Sequence, residues 1–403
     1  MPQREATFSD YGTGELFGLV LSTDAMSAAT SGRSWVGAML RFESALARVE
    51  AKQGLVPEDA AAEIERYCDG EGPWFDPAEL GRKGRLSGNP AVPFVAELKS
   101  RLPESAAQWV HFGATSQDVL DSAMMLVARD AVSLVLADLD RLAGAAAAVA
   151  EEHRSTRMAA RTLLQPAAPT TFGAKVAGWL IAAIDAARSL REVRERDLAV
   201  QLGGPAGNLA ALGPVGPTVM QDLAIELELC IPLVPWHTDR TRVVAAAGAL
   251  ARAAGVAAKV ALDVSLLMQA EVGEAREPAA PGRGGSSSMP HKRNPAMATV
   301  VGAAWRQVQG HAAVLLGAMA QEHERAVGAW QSEHLSFSAL CRAAGGAVAT
   351  TAEMLSGLEV DAGRMAANLA LVEGLAYPGA STGSAETFVD RALALYRSWS
   401  GVA

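Results

Sequence analysis

Residues Gly285 to Pro295 read Gly-Ser-Ser-Ser-Met-Pro-His-Lys-Arg-Asn-Pro. The run places three hydroxyls, two fixed cations and an amide in a segment entered through Pro281-Gly-Arg-Gly-Gly285 and stiffened at Pro290 and Pro295. A serine hydroxyl is too weak an acid to lose its proton near neutral pH without help. A positive local field and nearby N–H groups are what such a base needs. Gly284, Gly285, Ser286, Ser287, Ser288 and Met289 make up the loop, and Lys292, Arg293 and Asn294 supply the charge and the amide. A glycine/serine linker is the competing reading. A linker, however, has no use for Met, His, Lys, Arg and Asn in a fixed run between two prolines.

Three further polar clusters fall at breaks between long apolar segments. In His111-Phe-Gly-Ala-Thr-Ser-Gln-Asp118, Thr115 or Ser116 stands where a helix cap is expected. Free N–H groups at such an end bind carboxylates and phosphates. A plain cap and an anion site fit the local residues about equally, with His111 and Gly113 favouring a site. In Arg161-Thr-Leu-Leu-Gln-Pro166, Gln165 could hydrogen-bond a carboxylate, although taken alone the stretch reads better as a structural turn. In Trp236-His-Thr-Asp-Arg240, Arg240 could clamp a carboxylate through two N–H groups, or form a solvated Asp–Arg pair at a helix start. The charged run from Gln321 to Trp330 reads as an ordinary helical surface. The seven histidines show no metal-ligand spacing, and no catalytic metal or cofactor is expected.

Long helices must position these clusters. Half of the 403 residues are apolar, alanine dominates and aromatics are few. That composition favours helix and lets helices approach closely. Ser31–Gln53 reads as an amphipathic helix stopped by Gly54-Leu-Val-Pro57, and 70–77 as a loop. Segments 118–151, 170–200, 240–275, 296–320 and 334–357 read as long helices separated by Pro/Gly-rich breaks. The expected architecture is all-α, a long-helix bundle. The expected divisions are an N-terminal helical domain (1–112), a central bundle domain (113–357) and a short C-terminal helical domain (358–403). In the last of these, 374–383 is a loop and Glu386–Trp399 a closing helix. So much alanine implies several buried faces per helix, hence helices from other copies in the core.

The net charge of −9 argues against a nucleic-acid surface, which needs clustered Lys and Arg. Cys68, Cys230 and Cys341 are few and scattered, as expected of inert thiols. Met1 to Asp10 is polar, and Arg252 interrupts the long apolar run of 243–258. The expectation is a cytoplasmic protein with neither a leader nor a membrane span.

Together the motifs resemble the fumarase/aspartase superfamily. Gly285–Asn294 fits its Gly-Ser-Ser-x-Met-Pro-x-Lys-x-Asn loop, and Thr115–Asp118 its Thr-Ser-x-Asp element. Arg161-Thr162 and the glycine-rich turn 203–207 fit as well. Within the superfamily, the likeness is greatest to the 3-carboxy-cis,cis-muconate cycloisomerase branch, which includes nitrosuccinate lyase-like enzymes. Pro235-Trp-His-Thr238, Glu322-His-Glu-Arg325 and Phe388-Val-Asp-Arg-Ala-Leu393 carry it. The resemblance implies a homotetramer around a 20-helix core, with sites shared between subunits and a small dicarboxylate substrate. It makes Ser286 the catalytic base, gives Lys292 and Asn294 the substrate carboxylate, and puts Thr115, Ser116 and His111 at the other polar end. Arg240 is a weaker carry-over.

Two departures stand out. Relatives place a histidine shortly after the arginine of the Arg-Thr pair or just after the Gln, where this chain has Leu163 and Pro166. Relatives also carry a longer C-terminal domain, so that the middle of this one reads as deleted. A missing acid points to a leaving group that departs as a stable anion, such as nitrite from nitrosuccinate. The cycloisomerase reaction is the alternative within the superfamily, and an inactive scaffold is the alternative outside catalysis.

Overall fold

The computed structural model describes residues 13–70, 74–285, 288–289, 292–373 and 381–401. Its helices in chain order are α1 (Thr13–Gly18), α2 (Asp24–Ala29), α3 (Gly32–Lys52), α4 (Glu58–Asp69), α5 (Pro77–Gly84), α6 (Ala91–Ser100), α7 (Glu104–Ala107), α8 (Ser116–Glu152), α9 (Phe172–Arg196), α10 (Gly216–Glu226), α11 (Thr241–Leu267), α12 (Ala296–Gly317), α13 (Ala329–Ser356), α14 (Ala362–Glu373) and α15 (Ala385–Ser400). Two small antiparallel sheets join them. One pairs β1 (Arg157–Thr162) with β2 (Gln165–Thr171), and the other pairs β3 (Ala275–Arg276) with β4 (Glu359–Val360).

The architecture is the expected long-helix bundle. Five helices, α8, α9, α11, α12 and α13, pack side by side. The longest, α8, has 37 residues and so runs about 55 Å. Its buried face alternates bulk with alanine: Val119, Ala123, Leu126, Val132, Leu139, Ala143, Ala146 and Ala150. Such small faces bring neighbouring helix axes close. Beside the bundle, α3 begins at Ser31, whose Oγ accepts the Ser34 N–H at 3.1 Å, and ends before Gly54 at φ 71°. It turns Val36, Met39, Phe42, Leu46 and Val49 into the core.

One expectation is made specific and two need correction. The Arg161–Pro166 stretch is the expected turn, and it forms the tip of a β-hairpin in which Thr162 pairs with Gln165 across Leu163 and Leu164. The charged run at 321–328 is a loop between α12 and α13, since the chain must reverse there and Gly328 sits at φ 102°. Helix α11 is long and apolar enough, by length and composition, to cross a membrane despite Arg252. Its alanines and valines serve the bundle: Val243, Leu250, Ala254 and Val264 are buried, while Arg252 reaches out to Ser189 Oγ.

The C-terminal helix α15 lies on α8 and α9. Arg154 clamps it through Asp390 at 2.7 and 2.8 Å and through Glu386. Of the 374–383 loop, residues 374–380 lie outside the described residues, as do 71–73 of the 70–77 loop. Burial pushes the Cys341 thiol up to about 12 and raises that of Cys68 further, so both stay protonated and unreactive.

One buried group in α3 opposes folding. Both carboxyl oxygens of Glu50 are buried without a hydrogen-bond partner. Burial, with the nearby Glu43 carboxylate, pushes its pKa up to about 9. The unfolded chain ionises this group more readily than the folded one. Its effect is therefore absent below the ordinary carboxylate range and grows as pH rises towards 9. Glu50→Gln is expected to stabilise the protein by about 1 kcal/mol or more at pH 8, and the gain should vanish near pH 4. Melting temperatures of the two proteins measured across that range check this; a gain independent of pH would contradict it.

Candidate active site

The N-terminus of α8 gathers one group of the expected residues. Thr115 is the N-cap in extended backbone, and Ser116 opens the helix. Asp118 is fully buried, and four donors surround its carboxylate. Oδ1 takes Gly203 N–H at 3.0 Å and His237 Nε2 at 2.6 Å; Oδ2 takes Thr115 N–H at 3.0 Å and Gly204 N–H at 2.9 Å. One carboxylate thus joins the helix start, the glycine turn and the segment before α11.

His111, in the left-handed region at φ 62°, places Nδ1 2.6 Å from the buried Glu43. Burial opposes a charge on this ring, but the attraction and hydrogen bond of the Glu43 carboxylate outweigh it and raise the pKa. Arg325 comes in from the 318–328 loop. Its Nη1 donates to Gln117 Oε1 at 3.1 Å and its Nη2 to the Gly204 carbonyl at 2.8 Å. Neither partner is a carboxylate. The α8 N-terminus therefore meets a guanidinium that, among the described residues, no hydrogen-bonded anion offsets, together with the Glu43-paired ring of His111. An incoming carboxylate would find N–H dipoles, the Thr115 and Ser116 hydroxyls and the Arg325 guanidinium.

Arg240 does not belong to that set. Its side chain is wholly buried. It donates to both oxygens of Asp121 at 2.8 and 2.9 Å, and to Glu333 at 2.6 and 3.0 Å. Asp121 and Glu333 hold its pKa above the ordinary value although burial pulls the other way. With its N–H groups spent on these carboxylates and on the His237 carbonyl, it has nothing left for a substrate. The expected carboxylate clamp is an internal strut, and Arg325, which reads from sequence as surface, stands at the site instead.

The second group lies elsewhere. Gly284 sits at φ 66° and its carbonyl accepts the Asn294 N–H at 2.8 Å. A Cβ on Gly284 would come 2.5 Å from the Asn294 oxygen, so the loop closes there only with glycine. Lys292 N–H bonds the Met289 carbonyl at 3.0 Å. Arg293 pairs with Glu359 at 3.0 Å, and Glu277 caps α12 through Met297 N–H and Ala298 N–H at 3.0 and 2.7 Å. These contacts anchor the loop's exit while Gly285, Ser288, Met289 and Lys292 remain exposed. Ser286 and Ser287, as well as Pro290 and His291, lie outside the described residues.

The hairpin is at this same end. Arg161 forms a two-point pair with Glu274 at 2.9 and 2.7 Å, and Glu274 immediately precedes β3. Gln165 is exposed beside the hairpin tip, where Leu163 and Leu164 are 96% and 73% exposed.

Helix α13 measures the separation. At its start Trp330 Nε1 bonds Asp121 at 2.9 Å, and near its end Glu353 pairs with Arg283. The residues between them span about 35 Å of helix. His111, Thr115 and Ser116 are therefore gathered at one end of the chain, and Lys292, Asn294, the glycines and the hairpin at the other. One chain holds two half-sites. Sequence reasoning names most of these residues but misses Arg325, Gln117 and Asp118 as parts of the first. The Glu-His-Glu-Arg run is the available signal, and solvated charge is the reading it invites.

The two arginines should separate experimentally. Arg240→Met leaves two buried carboxylates unpaired and is expected to cost about 3–5 kcal/mol of stability. Arg325→Met should cost far less stability, and if the α8 end seats an anion it should weaken the binding of a carboxylate probe such as fumarate about tenfold or more. Thermal unfolding and calorimetric titration with fumarate test both; equal loss of stability in the two variants would contradict the division of roles.

Residues 19–310 match the protein family described as Lyase. The chain is 45% identical over 370 residues to 3-carboxy-cis,cis-muconate cycloisomerase from Pseudomonas aeruginosa, covering 91% of this chain and 80% of that protein. It is likewise 45% identical over 360 residues to nitrosuccinate lyase from Streptomyces davaonensis, covering 87% and 75%. The crystal structure of 3-carboxy-cis,cis-muconate lactonizing enzyme from Pseudomonas putida matches with a TM-score of 0.89 at 35% identity, over 96% of this chain and 100% of that one. That of fumarate lyase from Mesorhizobium sp. BNC1 matches at 0.81 and 34%, over 94% and 88%. Fold and these similarities agree: the chain belongs to the fumarase/aspartase superfamily of lyases.

Proposed function

We propose that this chain eliminates a substituent from a succinate to give fumarate, with nitrosuccinate as substrate and nitrite as leaving group. The observation that carries this reading is the composition of the hairpin. Where the superfamily resemblance calls for a histidine, the hairpin has Leu163 and Pro166, and its tip presents two bare leucines. A general acid accelerates the departure of a strong base and does little for a weak one. Nitrite is a weak base and leaves with its electron pair unaided.

In the proposed reaction, Ser286 as alkoxide takes the proton beside one carboxylate. The freed electron pair becomes the carbon–carbon double bond, and the adjacent carbon–nitrogen bond breaks. Lys292, Asn294 and loop N–H groups hold the aci-carboxylate that develops, which is stabilisation of charge where it forms. Thr115, Ser116, His111 and Arg325 hold the second carboxylate. No cofactor enters this scheme.

Half-sites about 35 Å apart in one chain favour a complete site assembled from different copies. We take the assembly to be a homotetramer. In support, a cleft of about 760 Å³ runs along α11 and α12, lined by Gly255, Leu262, Thr299, Gly302 and Trp305. Leu262 and Leu316 on those helices are 57% and 61% exposed. That apolar face suits helices of another copy.

Cycloisomerisation of 3-carboxy-cis,cis-muconate is the second reading. Equal identity to a cycloisomerase and to a nitrosuccinate lyase favours neither. The fit to the Pseudomonas putida lactonizing enzyme over nearly the whole chain keeps the second reading open. Lactone chemistry must move a proton, which makes the missing histidine harder to accommodate.

Nitrosuccinate should release nitrite and fumarate in equal amounts, and Ser286→Ala should lower turnover by about a thousandfold. Loss of the muconate chromophore without nitrite release would select the cycloisomerase instead. Mixing Ser286→Ala with Arg325→Met protein under conditions of subunit exchange should give, at low nitrosuccinate concentration, more activity than the two variants show separately. Failure to do so, with both variants folded and oligomeric, would overturn the shared site.

A further inference from the structure

His237 is buried, 4% exposed, and lies beside the α8 half-site without a role in the reaction drawn above. Its surroundings fix its chemistry. Asp118 already accepts N–H groups from Thr115, Gly203 and Gly204, and Nε2 of His237 approaches its Oδ1 at 2.6 Å. A carboxylate so surrounded by donors can only accept from the ring. Nε2 therefore carries a proton, which it gives to Asp118 as a hydrogen bond.

The ring's position is set from both sides. Its own backbone carbonyl accepts from Gln117 Nε2 at 2.7 Å and from Arg240 Nη1 at 3.4 Å. The preceding residue, Trp236, is tied by its N–H to Gln201 Oε1 at 2.9 Å and by its indole to the Val200 carbonyl at 2.8 Å. Opposite, a Cβ on Gly203 would lie 2.6 Å from the ring's Cε1. The turn can pass over the imidazole at that point only as glycine. The chain thus keeps a tight opening for this ring and pins the backbone that delivers it.

We propose that His237 is a positioning residue for the dicarboxylate. Acting through Asp118, it holds the Thr115 N–H and the Gly203-Gly204 turn in the arrangement that binds the substrate's second carboxylate. It touches no reacting atom. This rests on the proposed dicarboxylate chemistry and adds a residue to it. The α8 half-site grips the substrate alike before and during bond breaking, so loss of His237 weakens binding and leaves the chemical step nearly intact.

Fumarate is the probe. His237→Leu should bind it about tenfold more weakly or worse, the value of a charge-assisted hydrogen bond. With nitrosuccinate, KM should rise by a similar factor while kcat stays within about threefold. His237→Gln places an amide N–H near the position of Nε2 and should recover most of the affinity. A merely structural histidine would change stability without this split between KM and kcat and without rescue by glutamine. If folded His237→Leu binds fumarate as the wild type does, the proposal is wrong. If His237→Leu does not fold, His237→Gln decides: tight binding supports the role of the Nε2 donor, and weak binding by a folded protein overturns it. A wild-type protein that binds no fumarate would instead remove the dicarboxylate reading, and this inference with it.

Discussion

The buried Arg240–Asp121–Glu333 lattice is the constraint on which the rest depends. It joins α8, the start of α11 and α13, with Trp330 and Gln321 adding donors to Asp121 and Glu333. Apolar packing among alanine-rich helices is weakly discriminating, because one small residue resembles the next along a face. A guanidinium with two-point geometry is not so tolerant. Sliding any of the three helices by one residue, about 1.5 Å, would break several charge-assisted bonds in a medium that cannot replace them with water. The lattice therefore sets the relative heights of these helices at the end where Thr115, Gln117 and Arg325 meet.

From it a line of contacts runs to the site. Arg240 and Gln117 hold the His237 carbonyl, His237 holds Asp118, and Asp118 holds Thr115 with the glycine turn. Gln117 also receives Arg325, so a cation without a hydrogen-bonded carboxylate among the described residues is delivered by the same support. The opposite half-site is built differently. There Arg293–Glu359, Arg161–Glu274 and the Glu277 cap pin only the margins of a glycine loop and a hairpin. One end presents a preorganised anion seat. The other carries Gly285, Ser288, Met289 and Lys292 exposed on short connections.

The long helices were legible because their composition and the breaks between them are local signals. The observed α8, α9, α11, α12 and α13 differ from the readings mainly at their ends, where caps and fraying decide. The loop motif was legible too, since glycine and proline mark backbone needs directly. Arg240 was not. An arginine after an aspartate at a helix start looks solvated, and its actual partners, Asp121 and Glu333, lie 119 and 93 residues away. Arg325 was hidden for the converse reason, because a run of charges looks like surface whether or not one member turns inward. The turn at 161–166 was legible but its flanking strands were not, because Leu-Leu is an unusual hairpin tip. Both residues have positive φ, 50° and 65°, which turn chemistry normally assigns to Asn or Gly.

The placement of histidines bears on the leaving group. His237 gives its Nε2 proton to Asp118, so that proton is not available to a substrate. His111 is paired with Glu43, which raises its pKa. That makes it a better fixed cation and a poorer acid. His334 is half-buried, edge-on to Trp330, with its Nε2 atom buried and unpartnered and its pKa lowered by burial. His153 bonds Thr156 near the far end of α8. The two histidines hydrogen-bonded at the α8 half-site are thus both committed to carboxylates. The positive groups that are present bind anions well and yield protons poorly. Under the proposed elimination, a departing group that is already a stable anion asks no more than this of the α8 half-site.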